Sequence, residues 1–332
     1  MYDKEIKVLE TINNNRDLSQ RGIAKAAGIS IGKSNYLVRH FQELGYIKLE
    51  DTGTRKPRYV VTEEGLLLLE KYIKSNVASK ILISSNPGKQ VKAAIILAAG
   101  ESQDFQEPVG SLKLGDKTVI ERIIRLLRES GIEKIIIVAG YKSSFYESLG
   151  KKENIIVLTN NVYKESGTMV SLALAKDYLD DDFLLVEGDL VLEKKAITEV
   201  LNHQNRDCIL ITNESGSGDE VFVELRNEFL FKMSKDRHQF NRIDGEMIGV
   251  CKISIDIFKK MLEEFQNNSN PFLNYEYMLF DMARTFNISY VKIEDLIWSE
   301  IDTKWHYRNL TNFIYPMIVK SESMRGDTNE QY

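Results

Sequence analysis

Two acidic residues stand where buried chain should end. Asp189 follows the apolar run of FLLVEGD, and Asp302 closes IWSEID. A carboxylate at the end of a buried strand is costly unless it is paired or bound to a cation. Two of them facing one cleft make a Mg²⁺ site, with water and substrate phosphate in the remaining positions. Glu187 and Glu300 come two residues earlier in the same runs and read as supporting groups or solvent-facing side chains. A second chemical feature is IILAAGESQDF, Ile95 to Phe105, a buried strand running into a tight turn. A dinucleotide-binding turn carries G-x-G-x-x-G; the single Gly100 here excludes that fingerprint.

Stepping outward, the elements that must position these groups alternate along the chain. AAIILAAG, EKIIIVAGY, NIIVLTN, DFLLVEGDLV and DCILITN read as strands, separated by the helical TVIERIIRLLRESG, GTMVSLALAKDYL and KKAITEVLNHQ. Continuous apolar strands between amphipathic helices predict an α/β, doubly wound, mostly parallel sheet covered on both faces. Ligands of such sheets bind outside the carboxyl ends of the strands, which puts Ala99, Gly140 and Asp189 on one rim. EVFVELRNEFLFKMSKD and EMIGVCKIS read as a mixed extension, and KWHYRNLTNFIYPMI as a final helix.

The first part of the chain differs in charge. Residues 1–90 carry 15 Lys+Arg against 10 Asp+Glu, and the remainder 29 against 39. That split predicts two domains with different partners. Ser19 caps a helix through Ala27, Gly28 ends it, Ser30 opens a third helix to about Leu44, and YIKLE pairs with RYVVT across DTGTRKP. Three helices and a hairpin resemble the winged helix-turn-helix of bacterial MarR-like regulators. The resemblance implies DNA contacts from Lys33, Ser34, Asn35 and Arg39 on the third helix and from Arg55, Lys56 and Arg58 in the wing. Winged helices also serve as docking or dimerisation modules, so a homodimer is the competing expectation. The domains expected are residues 1–75, a linker at 76–90, a second domain at 91–320 and a polar tail at 321–332. No run approaches eighteen apolar residues, so no membrane insertion is expected. Two distant cysteines, Cys208 and Cys251, suit a reducing cytoplasm.

From about Val91 to Leu310 the chain resembles the nucleotidyltransferase family. AAIILAAG, GDKTVIERIIRLLRESGIEKIIIVAGY, EGDLVLE and IWSEIDT carry the likeness in that order. NNVYKESGTMVSLALA with WSEID is most similar to cytidylyltransferases of phosphorylated amines, those acting on phosphocholine or 2-aminoethylphosphonate. EPVGSLKLGD, SGSGDEVFVE, MSKD and GEMIGVCKIS point to the phosphonate group. The resemblance implies CTP against the backbone of Leu97, Ala98, Ala99 and Gly100, with Gly167 and Thr168 offering free N–H groups at a helix start. It implies Mg²⁺ on Asp189 and Asp302, and displacement of pyrophosphate by the acceptor oxygen without a protein nucleophile. The acceptor's ammonium would meet Tyr163, Asp219, Glu220, Glu246, Tyr275, Glu276 and Trp298. The family signature G-x-G-x-R…P-K is broken here, with Val109 at the lysine position. Lys113 is the expected substitute, followed by Lys117, Lys142 and Lys235. The alternatives are a phosphocholine enzyme, sugar-1-phosphate transfer, and a transcription regulator whose transferase-like domain senses a nucleotide.

Overall fold

The computed structural model describes residues 3–15, 18–50, 58–70 and 90–326. The chain divides into two compact units, Met1–Ile81 and Leu82–Tyr332. In the first unit, helices α1 (Asp3–Asn14), α2 (Gln20–Ala27) and α3 (Ile31–Glu43) precede strands β1 (Ile47–Glu50) and β2 (Arg58–Val61). Ser19 Oγ accepts from Gly22 N at 3.2 Å and Ser30 Oγ from Lys33 N at 3.2 Å, satisfying amides that a helix start leaves open. Gly28 ends α2 at φ 67°, a left-handed conformation that glycine adopts without strain. Val8, Leu9, Ile23, Leu37, Val38 and Phe41 close one core. β1 and β2 are antiparallel, with Ile47 opposite Val61. A further helical segment occupies residues 63–70. Arg55 and Lys56 lie outside the described residues, as does nearly all of the expected linker at 76–90.

The second unit is built on strands β3 (Ala93–Ala98), β6 (Lys134–Ala139), β7 (Ile156–Thr159) and β8 (Phe183–Glu187), all parallel, in the order β8-β3-β6-β7. A small hairpin, β4 (Lys113–Leu114) and β5 (Lys117–Thr118), intervenes after β3. Adjacent residues of β3 feed opposite cores. Ile96 packs with Leu127 and Ile137 on one face, and Ile95 with Ile136 and Leu185 on the other. Helices α4 (Val119–Glu129), α5 (Ser144–Glu153) and α7 (Lys194–Asn202) cover the first face. The second is covered by α6 (Thr168–Ala173), α8 (Ile255–Gln266) and α9 (Tyr275–Met282). Every β3 residue from Ala94 to Leu97 is therefore buried, which explains its unbroken apolar run.

The extension is antiparallel: β13 (Gly245–Ile253) pairs with β8, and β11 (Phe222–Arg226) and β12 (Phe229–Ser234) continue the sheet beyond it. β10 (Cys208–Thr212) does not join the parallel series expected of it. It runs antiparallel to β13 and parallel to β14 (Ser289–Lys292), because β13 occupies the place beside β8. Three further differences from the sequence reading matter for the site. DFLLVEGDLV is two strands, β8 and β9 (Leu190–Leu192), broken at Gly188–Asp189. GTMVSLALAKDYL is a six-residue helix followed by a 3₁₀ turn at Lys176–Tyr178. After β15 (Trp298–Glu300), the last helix is three pieces: α10 (Lys304–Asn309), a π turn (Leu310–Ile314) and α11 (Tyr315–Arg325). Glu322 on α11 is buried against Arg122, 2.8 Å from its Nη2, and accepts from Lys194 N at 2.7 Å. Packing thus extends into the stretch expected to be a polar tail. No helix of the described residues is long and apolar enough to cross a membrane.

Candidate active site

The break at Gly188 creates the site. Gly188 N donates to the Leu97 carbonyl at 2.8 Å, and a Cβ there would lie 2.7 Å from that of Ala98. Only a glycine lets β8 turn this closely over the end of β3 and lift Asp189 onto the rim. β9 then pairs antiparallel with β15, with Leu190 opposite Glu300, and Ile301 N donates to the Asp189 carbonyl at 3.2 Å. This ribbon brings Asp189 beside residues more than a hundred positions away. Carboxylate oxygens of Glu187, Asp189 and Glu300 lie within 4.8 Å of one another. Asp302 sits at the mouth, half-exposed, with Oδ2 3.3 Å from His306 Nδ1.

Crowded negative charge governs the electrostatics. Burial, with the fields of Asp302 and Glu276, pushes the Asp189 carboxyl up to about 6. Burial, then Asp189 and Asp302, lifts Glu300 to about 8. Glu187 is held well above the carboxylate range by burial and by Glu276, although Tyr275 Oη donates to its Oε1 at 2.9 Å. Asp189 Oδ1 is buried and accepts no hydrogen bond from the described residues. Three hard oxygen donors, mutual repulsion and an orphaned oxygen fit a divalent cation of the Mg²⁺ type.

Hollows open around this cluster. One of about 440 Å³ lies under the loop that follows β3 and is lined by Ala98, Gly100, Glu101, Asp104, Asp189 and Asp302 among others. A second, of about 250 Å³, is lined by Ala99, Tyr163, Gly167, Thr168 and Glu276. A third, of about 60 Å³, holds the carboxylates of Glu187, Asp219, Glu246, Glu276 and Glu300 with Lys235, Tyr275 and Trp298. It adjoins an open chamber of about 430 Å³ flanked by Trp298 and Trp305.

Comparison with known proteins agrees with this architecture. Residues 94–242 match the model of the MobA-like NTP transferase domain, and residues 3–48 that of a winged helix-turn-helix DNA-binding family. Residues 94–242 of the second unit are thus similar to the MobA-like NTP transferase domain. The chain is similar to the bifunctional IPC transferase and DIPP synthase of Thermococcus kodakarensis, 25% identical over 233 residues, 68% of this chain and 51% of that protein. It is also similar to the choline-phosphate cytidylyltransferase of Haemophilus influenzae, 31% identical over 150 residues, 41% of this chain and 64% of that protein. The chain therefore spans between about half and just under two thirds of the length of these curated relatives. The inositol-1-phosphate CTP transferase of T. maritima shares the fold at a TM-score of 0.60 and 17% identity, covering 71% of this chain and 98% of that one.

Within the second unit, Leu97, Ala98 and Gly100 line the large hollow, and Leu97, Ala99, Gly100, Gly167 and Thr168 line the second. The free amides expected at Gly167 and Thr168 are not free. Gly167 N donates to the Pro271 carbonyl at 2.8 Å, Thr168 N to Asn274 Oδ1 at 3.2 Å and Met169 N to the Leu273 carbonyl at 3.1 Å. Thr168 Oγ1 instead accepts from Tyr275 N at 2.9 Å and faces Glu276, joining α6 to α9. Of the expected acceptor residues, Asp219, Glu246, Tyr275, Glu276 and Trp298 meet in the third hollow. Tyr163 lies in the second. Glu220 turns back to accept from Gly218 N at 3.1 Å and lines none of these hollows. Glu246 holds the neighbouring loop, accepting from Ser215 N at 2.7 Å.

Among the expected lysines, Lys113 and Lys117 are exposed on the β4–β5 hairpin and do not line the hollows described. Lys235 does line the third, 2.7 Å from Asp219 Oδ2. Lys142 Nζ pairs with Glu107 at 2.9 Å. Sequence reasoning missed the cluster role of Glu187 and Glu300, and it missed Gly249. A Cβ on Gly249 would lie 2.2 Å from Glu187 Oε2, so this glycine makes room for the carboxylate. The available signal was a lone glycine inside an apolar strand.

In the winged helix, Lys33, Tyr36 and Arg39 are exposed along α3, a basic face with one aromatic. Ser34, expected to touch DNA, is fully buried and donates to the Gln20 carbonyl at 3.4 Å, locking α3 to α2. Asn35 is half-buried and Arg58 opens β2.

Proposed function

We propose that the transferase domain is a CTP-dependent cytidylyltransferase that moves CMP onto a small phosphorylated amine, with 2-aminoethylphosphonate preferred. The observation that carries this reading is the small hollow beside the acid cluster, with five carboxylates against a single lysine. A primary ammonium has three donors and no acceptor, and such a lining satisfies it. CTP would lie along the turn after β3, its base in the hollow of Ala99 and Thr168 and its phosphates under the following loop. Asp189, with Glu187, Glu300 or Asp302, would hold Mg²⁺, which when bound offsets charge on the α-phosphate. An acceptor whose ammonium sat in the third hollow would present its phosphonate oxygen to the neighbouring acid cluster. The new P–O bond forms as the bond to pyrophosphate breaks, and no side chain becomes covalently attached.

Two observations favour other readings. Trp298 and Trp305 flank the adjoining chamber, and indole faces suit a quaternary ammonium, which favours phosphocholine. The basic face of α3 supports DNA binding by the first unit, and with it regulation of transcription by a nucleotide-sensing domain. Pyrophosphate release with each of four nucleoside triphosphates, against 2-aminoethylphosphonate, phosphocholine, inositol 1-phosphate and glucose 1-phosphate, tests the reading. Release only with CTP and the aminophosphonate is expected. No release with any pair would refute enzymatic transfer and leave the sensing domain.

A further inference from the structure

The large hollow presents an electrostatic problem. Glu101, Asp104, Asp189 and Asp302 line it, and among the described residues no lysine or arginine does. A triphosphate entering there would meet four acidic side chains and no cationic one among those lining residues. Positive charge is nonetheless close at hand. Lys164 Nζ lies 2.7 Å from Glu101 Oε2, and Lys142 Nζ lies 2.9 Å from Glu107 Oε1. Both acids belong to the loop that roofs the hollow.

We propose that Lys164, assisted by Lys142, is the triphosphate-binding cation of this site, held in reserve by Glu101 until nucleotide takes its place. The inference rests on the nucleotidyl-transfer reading above. The loop is pinned at both banks. Tyr141 Oη donates to the Gln106 carbonyl at 3.0 Å on one side. On the other, Ser102 Oγ donates to the Asp302 carbonyl at 2.9 Å and Lys304 N to Asp104 Oδ2 at 2.7 Å. The backbone beside Lys164 is equally fixed. Tyr163 packs against Gly140 so closely that a Cβ on that glycine would lie 2.8 Å from the tyrosine's Cβ. Only the lysine side chain has to move.

That movement is inexpensive. The Lys164 side chain is 57% exposed and that of Glu101 34% exposed, and solvent-screened pairs of this kind are weak. Lysine to phosphate is a stronger, charge-assisted contact. Exchange of partners therefore runs downhill once a metal-bound triphosphate arrives. Glu101 competes with the phosphates for Lys164 and so weakens nucleotide binding.

Calorimetric titration of the full chain with CTP and Mg²⁺, in the absence of acceptor, tests this. Lys164→Ala should weaken CTP binding by about tenfold or more, Lys164→Arg should keep most of it, and Glu101→Gln should tighten it by about threefold. Affinity for cytidine, which has no phosphates, should stay the same in all three. Lys260→Ala, on the exposed face of α8, serves as the control, and circular dichroism checks folding. If wild type binds CTP and Lys164→Ala binds within twofold of it, or if Lys113→Ala is the variant that weakens binding, the inference is overturned while the transfer reading stands. If wild type binds no nucleoside triphosphate, the transfer reading falls and the inference with it.

Discussion

Asp189→Asn should make the protein more stable and inactive at once. The carboxyl is raised from 3.8 to about 6, so keeping it ionised in the fold opposes folding. A shift of about two units corresponds to roughly 3 kcal/mol, and sharing of protons with Glu187 and Glu300 brings the expected gain to about 1–3 kcal/mol. The sign follows from linkage. Below about pH 4 the side chain is protonated in folded and unfolded chains alike, and asparagine offers no advantage. As pH rises toward 6 the unfolded chain ionises first, and wild type loses stability that the variant keeps. At pH 7.5 with EDTA the variant should therefore melt about 2–12 °C higher, given roughly 2–4 °C per kcal/mol for a domain of this size. At pH 4 the two should melt together. Mg²⁺ at a hundred times its Kd should raise the wild type and not the variant, by about 2.7 kcal/mol, which cancels or reverses the difference. Scanning calorimetry at the two pH values, with and without metal, reads all of this. A variant less stable than wild type at pH 7.5 in EDTA would refute the crowding argument. A wild type indifferent to Mg²⁺ would refute the metal assignment.

Gly249→Ala should lower kcat/KM for the acceptor by about tenfold or more while the fold survives, because the new methyl occupies the space of the Glu187 carboxylate; steady-state kinetics with circular dichroism checks it. If the proposed function holds, the protein should prefer 2-aminoethylphosphonate to phosphocholine by at least about tenfold in kcat/KM, about 1.4 kcal/mol, measured by pyrophosphate release; the opposite order would assign Trp298 and Trp305 to a choline cage. DNA binding by the winged helix should weaken steeply with salt, and Lys33→Ala with Arg39→Ala should flatten that slope in fluorescence anisotropy; salt-independent binding would point to docking instead.

Local physics made much of this protein legible in one dimension. The apolar run before Gly100 required a strand buried on both faces, and Ser19, Gly28 and Ser30 marked helix ends through hydrogen bonds made within a few residues. The acids at 189 and 302 stood out because charge at the end of a buried run demands a partner. What the sequence left open depended on contacts between distant segments. Pairing of β9 with β15 brought Glu300 to Asp189, and Gly249 on β13 opened space for Glu187, so the cluster gained members that looked peripheral in the chain. The amides of Gly167 and Thr168 were occupied by the segment around Pro271 and Asn274. Ser34 turned inward against α2, and Lys113 was carried out on a hairpin. Spacing along a chain states which groups exist. Which of them share a cavity, and which are already spoken for by hydrogen bonds, is decided when strands far apart in sequence come into register.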